Sequence, residues 1–383
     1  MKAVLLYNKY EVIILDKNFS VAHPLLTTPF PVCAKLLAEN IKDIEKRHYP
    51  EILFLGSASL ILYPAYLLEK VLYINKALKK PIQDPVFITG HWRTGTTFLH
   101  YIMSRDKSFG YVDPFMNYSL NFYHILGRQL RPIIQGQLDL GRPMDNLKYG
   151  TDMPFEDYNL FATTEAKSFY PLNFFPQSFK KYSRYAFVGK LDKNEREHWV
   201  NKQDKLFRRI AYINGGKRLL LKSPDCTGRV GVLQKEYPGA KFVNIYRDPY
   251  TVVRSTIHMF NKMFALWSLE KLPAEEEMED LVIDMFKEMY ETFFEDIKKL
   301  PEGSFYEIKF EDFEKDPLPI LKDMYEKLNL GDYEKARPGF EEHWNSVEGY
   351  QKNVYDYPER LKKKVNDKLG FYFEHYGYEM KEI

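Results

Sequence analysis

Gly90-His91-Trp92-Arg93-Thr94-Gly95-Thr96-Thr97 sets two glycines four residues apart between two apolar runs, Val86-Phe87-Ile88 and Phe98-Leu99. Such a loop lets the backbone curl so that its N–H groups surround an anion, and a helix starting just after it adds its positive dipole end. A nucleoside-triphosphate site needs Lys and then Ser or Thr after the second glycine, to hold the terminal phosphates and Mg²⁺. Here Thr96 follows Gly95, and the one cation in the loop is Arg93. The loop suits a phosphate group without the lysine of a triphosphate site. Taken alone it is equally an ordinary strand-to-helix turn.

A second constellation is Tyr246-Arg247-Asp248-Pro249, followed by Ser255. Lys241 to Ile245 is β-rich, and Pro249 suits the first turn of a helix. Arg247 then ends a strand, and Ser255 lies about two turns into the helix. Arg offers a two-pronged fork to a phosphate and Ser adds a neutral donor. An Arg–Asp pair with a helix hydroxyl would look the same. Leu219-Leu220-Leu221-Lys222 places a third cation at the end of another apolar run.

These motifs, in this order, resemble the sulfotransferases that use 3′-phosphoadenosine 5′-phosphosulfate (PAPS), in particular a bacterial branch. Arg93-Thr94-Gly95-Thr96-Thr97 resembles their 5′-phosphosulfate loop, and Arg247 with Ser255 resembles their 3′-phosphate site at the family's own spacing. Arg142-Pro143-Met144-Asp145, Pro154-Phe155-Glu156-Asp157, the 306–318 segment and Gly370 to Tyr378 resemble further parts of that branch, so the likeness covers about residues 81–383. It implies PAPS as sulfonate donor and 3′,5′-ADP (PAP) as product. It also implies cofactor contacts from His91, Trp92, Arg93, Thr94, Gly95, Thr96, Thr97, Arg247 and Ser255. Arg93 would stabilise the leaving oxygen and Lys222 the sulfonate. No metal is required, because these cations do what Mg²⁺ does for a triphosphate.

The acceptor hydroxyl needs a base. The cytosolic branch carries a His two residues after the strand lysine, where this chain has Pro224. Two carboxylates remain. Asp113 lies one position from where tyrosylprotein and some glucosaminyl sulfotransferases place a catalytic Glu, yet Asp113-Pro114 also reads as an Asx turn. Glu156 could instead cap the next helix or pair with Arg142. His91 is the outsider, with a structural role as its default.

The elements that must position these residues alternate. Strands are expected at 86–89, 219–222, 241–246 and 305–309, with a weaker one near 109–112. Helices are expected at 193–213, 227–236, 249–263, 275–299 and 317–328. The alternation implies an α/β fold, a P-loop-like central parallel sheet flanked by helices, with ligands at the carboxyl ends of the strands. Arg93, Lys222 and Arg247 all fall at such ends. Residues 1–80 form an N-terminal helical extension expected to pack on the core or acceptor site, and 81–383 the catalytic domain, with Pro81 to Pro85 as hinge. Ala3 to Tyr7 is too short for a signal-peptide core. Residues 52–68 carry no charge over 17 positions. A buried helix covering the acceptor site, an interfacial helix on lipid or a short membrane span would each explain them.

The 55 basic and 53 acidic residues of the 383, a net charge of +2, exclude a general nucleic-acid binder. Cys33 and Cys226 permit one disulfide, although a reducing cytoplasm is the simpler reading, and no Cys/His spacing suggests a metal. Arg360 to Lys364 reads as a solvated basic face or as a cover for the cofactor. The stretch 109–187 is dense in aromatics and lacks a basic cluster, which favours a lipophilic small acceptor: a sterol, lipid alcohol or phenol. Two other classes stay open, a P-loop nucleotide kinase or ATPase and a silent nucleotide- or lipid-binding relative. Oligomeric state is not legible.

Overall fold

The computed structural model describes residues 23–138, 153–346 and 357–382. Arg142-Pro143-Met144-Asp145 and the first twenty-two residues lie outside them. Five parallel strands, β1 (Val86–Thr89), β2 (Phe109–Gly110), β3 (Arg218–Lys222), β4 (Lys241–Tyr246) and β5 (Phe305–Lys309), form one sheet in the order β2-β3-β1-β4-β5. All four residues of β1 are buried, as a central parallel strand covered on both faces requires. From β1 the chain moves to one side for β2 and β3, then to the other for β4 and β5. The crevice beyond the carboxyl end of β1 is therefore a topological switch point, where such sheets bind ligands. Register fixes what meets there, because Ile88 pairs with both Lys222 and Val243, and Thr89 with Asn244.

Helices flank the sheet much as the periodicity implies. The Lys193–Ile213 helix starts at Asp192, whose carboxylate accepts from the Glu195 N–H at 3.0 Å. The Pro249–Trp267 helix starts at Asp248, which accepts from the Thr251 N–H at 2.8 Å, with Pro249 where its missing donor costs nothing. The expected helix 227–236 is only half right. Pro224–Arg229 is a 3₁₀ turn, and the α-helix occupies Val230–Glu236. Gly228 sits in that turn against Ala186, where a Cβ would lie 2.8 Å from the carbonyl oxygen. The weak strand near 109–112 shrinks to Phe109–Gly110.

Cys33 and Cys226 are both free and buried, so the disulfide that two cysteines permit is not formed. Arg360 is exposed and Lys364 half-buried, on the kind of solvated helix face that one of the two readings expects. They pair with Glu276, Glu279 and Asp280, tying the Glu359–Tyr376 helix to Glu275–Ile297. The helix through 52–68 is not buried. It belongs to a continuous helical run, Lys46–Ala77, with a π-turn at Lys70–Ile74. Its inner face packs on the protein through Leu55, Ser59, Glu69 and Ile74, while Leu53, Ile61 and Val71 point outward. The aromatic stretch is mostly core: Phe169 stacks on Trp92 at 5.0 Å, and Tyr158, Phe161, Tyr170, Phe174, Phe175 and Phe179 are buried around it.

Candidate active site

The loop after β1 is held by its glycines. Gly90 sits at φ 133° and donates its N–H to the Thr227 hydroxyl at 2.8 Å. A Cβ there would lie 2.4 Å from the Ile245 carbonyl oxygen, so no other residue fits. Gly95, at φ 106°, leaves a Cβ no room against the Phe310 ring, 2.3 Å away. Between them Arg93 adopts φ 70°, a left-handed backbone that costs a non-glycine residue about 1–2 kcal/mol. His91, Trp92, Thr94 and Thr96 are buried, whereas Arg93, Gly95 and Thr97 reach the open side. The Thr96–Met103 helix starts directly behind, so the free N–H groups of its first turn face the same crevice.

One flank of this loop is cationic. Arg93 Nε donates to Ser255 Oγ at 2.9 Å, and an Arg247 guanidinium nitrogen donates to the Arg93 carbonyl at 3.3 Å. The Arg247 guanidinium also lies over the Phe310 ring, 4.1 Å from its centre. Its backbone is clamped by Tyr372, whose hydroxyl donates to the Arg247 carbonyl at 3.1 Å. Burial lowers the pKa of Arg247, with Arg93 adding repulsion and Glu311 and Glu314 opposing. One turn beyond Ser255, His258 is held below its ordinary value by burial and by the charges of Lys262, Arg254 and Arg93. Positive charge concentrated at a helix start and strand end is an anion site by electrostatics.

The other flank carries a buried lysine against a carboxylate. Lys222, 3% exposed at the end of β3, pairs with Glu156 and donates to the Thr97 hydroxyl at 3.3 Å. Glu156 is held there by its neighbours. The Phe155 N–H donates to the Val112 carbonyl at 2.7 Å, the Ser223 hydroxyl to Asp157 at 2.7 Å, and the Tyr158 N–H to Ser223 Oγ at 3.0 Å. Asp157 is fully buried, and burial together with the Asp225 charge pushes its pKa up to about 6. It is a fastening, not an open acid.

The structure brings Arg93, Thr97, Lys222, Glu156, Arg247 and Ser255 around one loop. It does not bring the other candidates there in the same way. Asp113 accepts from the Met116 N–H at 2.6 Å and caps the Pro114–Ser119 helix, so the Asx reading describes it. Glu156 makes no cap hydrogen bond. The His91 imidazole is fully buried against Phe286 and Trp92, its Nδ1–H donating to the Trp92 carbonyl at 3.1 Å. Burial drops its pKa to about 3, so it is a neutral packing group. Trp92 is likewise core, and the His91 N–H donates to the Tyr290 hydroxyl at 3.4 Å. Sequence reasoning missed Phe310, Tyr372, Thr227 and the Ser223–Asp157 fastening. The pairing of β3 with the 155–158 segment joins residues about 65 positions apart, for which one sequence carries no periodic signal.

Comparison with known proteins agrees with this geometry. A profile of the sulfotransferase family matches residues 85–334, which holds both flanks of the site and the central sheet. The chain belongs to the sulfotransferase family. Family membership makes it an enzyme of sulfonate transfer and sets aside the kinase and ATPase readings. The sulfotransferase is similar to the omega-hydroxy-beta-dihydromenaquinone-9 sulfotransferase of Mycobacterium bovis, 29% identical over 315 residues, 81% of this chain and 80% of that one. The protein of the same name in Mycobacterium tuberculosis matches to the same extent. Among solved structures, a sulfotransferase from Mycobacterium tuberculosis has a TM-score of 0.63 at 18% identity, covering 88% of this chain and 92% of its own. One from Mycobacterium avium has 0.63 at 16%, covering 93% and 98%. At these identities the two structures speak for the fold alone.

Proposed function

We propose that this sulfotransferase moves the sulfonate of PAPS onto the hydroxyl of a lipophilic alcohol, with Glu156 as base, and releases PAP. The observation that carries the reading is the division of the site. Arg93, Arg247 and Ser255 gather on one side of the Gly90–Thr97 loop, and Lys222 with Glu156 on the other. A donor with a 3′-phosphate, a 5′-phosphate and a terminal sulfonate presents three anionic groups in a row. The chemistry of the donor set suits that order: Arg247 and Ser255 for the 3′-phosphate, the loop and Arg93 for the 5′-phosphate, Lys222 for the sulfonate.

In the transfer the acceptor oxygen forms a bond to sulfur as the bond from sulfur to the 5′-phosphate oxygen breaks. The hydroxyl proton passes to Glu156, and the electron pair of the broken bond stays on the phosphate. Arg93, always protonated, stabilises that growing charge without giving up a proton. Lys222 exchanges its contact with Glu156 for a sulfonate oxygen, which frees the carboxylate to take the proton. The resting ion pair keeps the two groups side by side at the end of β3. Asp157, Ser223 and Phe155 keep Glu156 in reach and act as positioning residues.

The lipophilic acceptor is supported by the relatives, named for a hydroxylated menaquinone, and by the absence of a basic cluster among the described residues of the 109–187 stretch. The test is PAP release and sulfate-ester formation with a panel of a polyprenyl-chain alcohol, a sterol, a simple phenol and a polysaccharide. The reading expects the apolar alcohols to be turned over and Glu156→Gln to abolish most of it. Preference for the polysaccharide, or full activity in Glu156→Gln, contradicts it.

A further inference from the structure

The Lys46–Ala77 helix is built inside out. The 32 residues span ~48 Å. Its inward face carries polar groups: Ser59 donates to the Thr28 carbonyl at 2.6 Å, Glu51 meets His48 at 2.9 Å, and Glu69 holds the His124 ring at 2.6 Å and the N–H groups of His124 and Ile125 at 3.0 Å. Ser59 and both glutamates are buried. The outward face carries Leu53 (72% exposed), Leu60, Ile61 (77%), Leu67, Leu68 and Val71 (64%), returning to the same side about every seven residues, with Ser57 and Pro64 exposed between them. A helix of a water-facing surface has the opposite arrangement. An apolar stripe of this length in water marks a surface that something covers.

Its ends say what that is. Between residues 46 and 80 the chain has six basic residues, Lys46, Arg47, Lys70, Lys76, Lys79 and Lys80, all exposed. The two acidic residues of that span are Glu51 and Glu69, both turned inward. Arg47 also reaches Glu45 just outside it. Two copies of the chain meeting on this stripe would oppose cation to cation at both ends. Anionic headgroups around an apolar layer match both the stripe and its ends.

We propose that the Lys46–Ala77 helix lies in the plane of an anionic lipid surface, its leucine stripe sunk into the acyl boundary and its terminal lysines among the headgroups. The helix does not cross the bilayer, because its inner face is fastened along its length to Thr28, His124 and the core. Its inner contacts run to the segment after β2, the same segment whose Val112 carbonyl fixes Phe155 beside Glu156. The proposal stands on the helix and its flanks and is independent of the donor assignment.

The experiment is flotation of the full chain with vesicles of phosphatidylcholine alone and of phosphatidylcholine mixed with phosphatidylglycerol. Wild type floats with the mixed vesicles, less with the neutral ones, and less again at high salt. The triple variant Leu53→Ser, Ile61→Ser, Val71→Ser binds at least about tenfold more weakly while keeping its melting temperature and its shift with PAP. Should that variant misfold, Ile61→Cys carrying a polarity-sensitive dye, with Cys33 and Cys226 buried, reports the same event as a blue shift on adding mixed vesicles. Wild type that ignores both vesicles, and runs as a dimer split by the triple variant, would assign the stripe to a second copy and overturn the proposal. Unchanged flotation of the variant would overturn it too. Loss of the PAP shift in wild type would instead count against the donor reading.

Discussion

The strand-end cleft and the Lys46–Ala77 helix depart from ordinary globular patterning in opposite directions. The cleft draws charge inward: Lys222 is buried, Arg247 is mostly so, and Arg93 accepts backbone strain to stand beside them. The helix pushes apolar side chains outward and hides its carboxylates. Buried charge costs free energy unless a partner compensates it, and exposed leucine costs free energy unless something covers it. In the cleft the chain meets part of that cost itself, through Glu156 beside Lys222 and Glu311 and Glu314 near Arg247, whereas the outward leucines of the helix are left to solvent. Departures of this kind are where function is to be sought.

The comparison can be broken first at the buried cation. Lys222→Met should lower kcat by about 10²–10³-fold, the effect of removing one oriented charged donor, with donor affinity changed less. A drop confined to KM would move Lys222 from the reacting sulfonate to ground-state binding. Arg247→Ala should weaken PAP binding about a hundredfold and leave kcat at saturating donor nearly intact. The two carboxylates separate next. Glu156→Gln should cost about 10²–10⁴-fold in kcat. Asp113→Asn should stay within a few-fold, because Asn also caps helices, whereas Asp113→Ala should cost about 1 kcal/mol of stability with activity retained. The reverse ranking in kinetics and thermal unfolding would exchange their roles.

Smaller effects sharpen the electrostatics. A bound anion between Arg93 and Arg247 relieves the field that depresses His258, so PAP should raise the His258 pKa and binding should take up protons. NMR titration of that ring with and without PAP checks the direction, and no change would place the phosphate elsewhere. His91 tests the core behind the loop. Its folded pKa of about 3 lies below the ordinary 6.5, so the unfolded chain binds this proton first. The stability it supports is full above pH 6.5 and falls by about 1.4 kcal/mol per unit as pH drops toward 3. His91→Gln should flatten denaturation free energy against pH in that window; an unaltered slope would mean the ring is not buried neutral.

Much of the cleft was legible because parallel strands write themselves as short apolar runs and place their functional residues at the ends. Arg93 and Arg247 follow such runs and Lys222 closes one, so their places at the strand ends could be read from the sequence. Glu156 was harder, since it pairs with Lys222 at the end of β3 and makes no local cap, while Arg142 lies outside the described residues. The Ser223–Asp157 bond that fixes it joins distant segments and leaves no periodic trace. The direction of the 52–68 helix was not legible either. An uncharged run shows that a helix is apolar, but only its packing shows that the polar minority, Ser59 and Glu69, is the side turned inward.

The central claim is that the loop and its cationic flank are a site for a 3′-phosphorylated adenine nucleotide. Thermal unfolding with PAP, 5′-ADP, 3′-AMP and ATP–Mg, in wild type and Arg247→Ala, tests it most directly. PAP at a hundred times its dissociation constant should add about 2.7 kcal/mol of stability in wild type and far less in the variant, with ATP–Mg weaker than PAP. Equal stabilisation by all four nucleotides, or a response untouched by Arg247→Ala, would contradict the account.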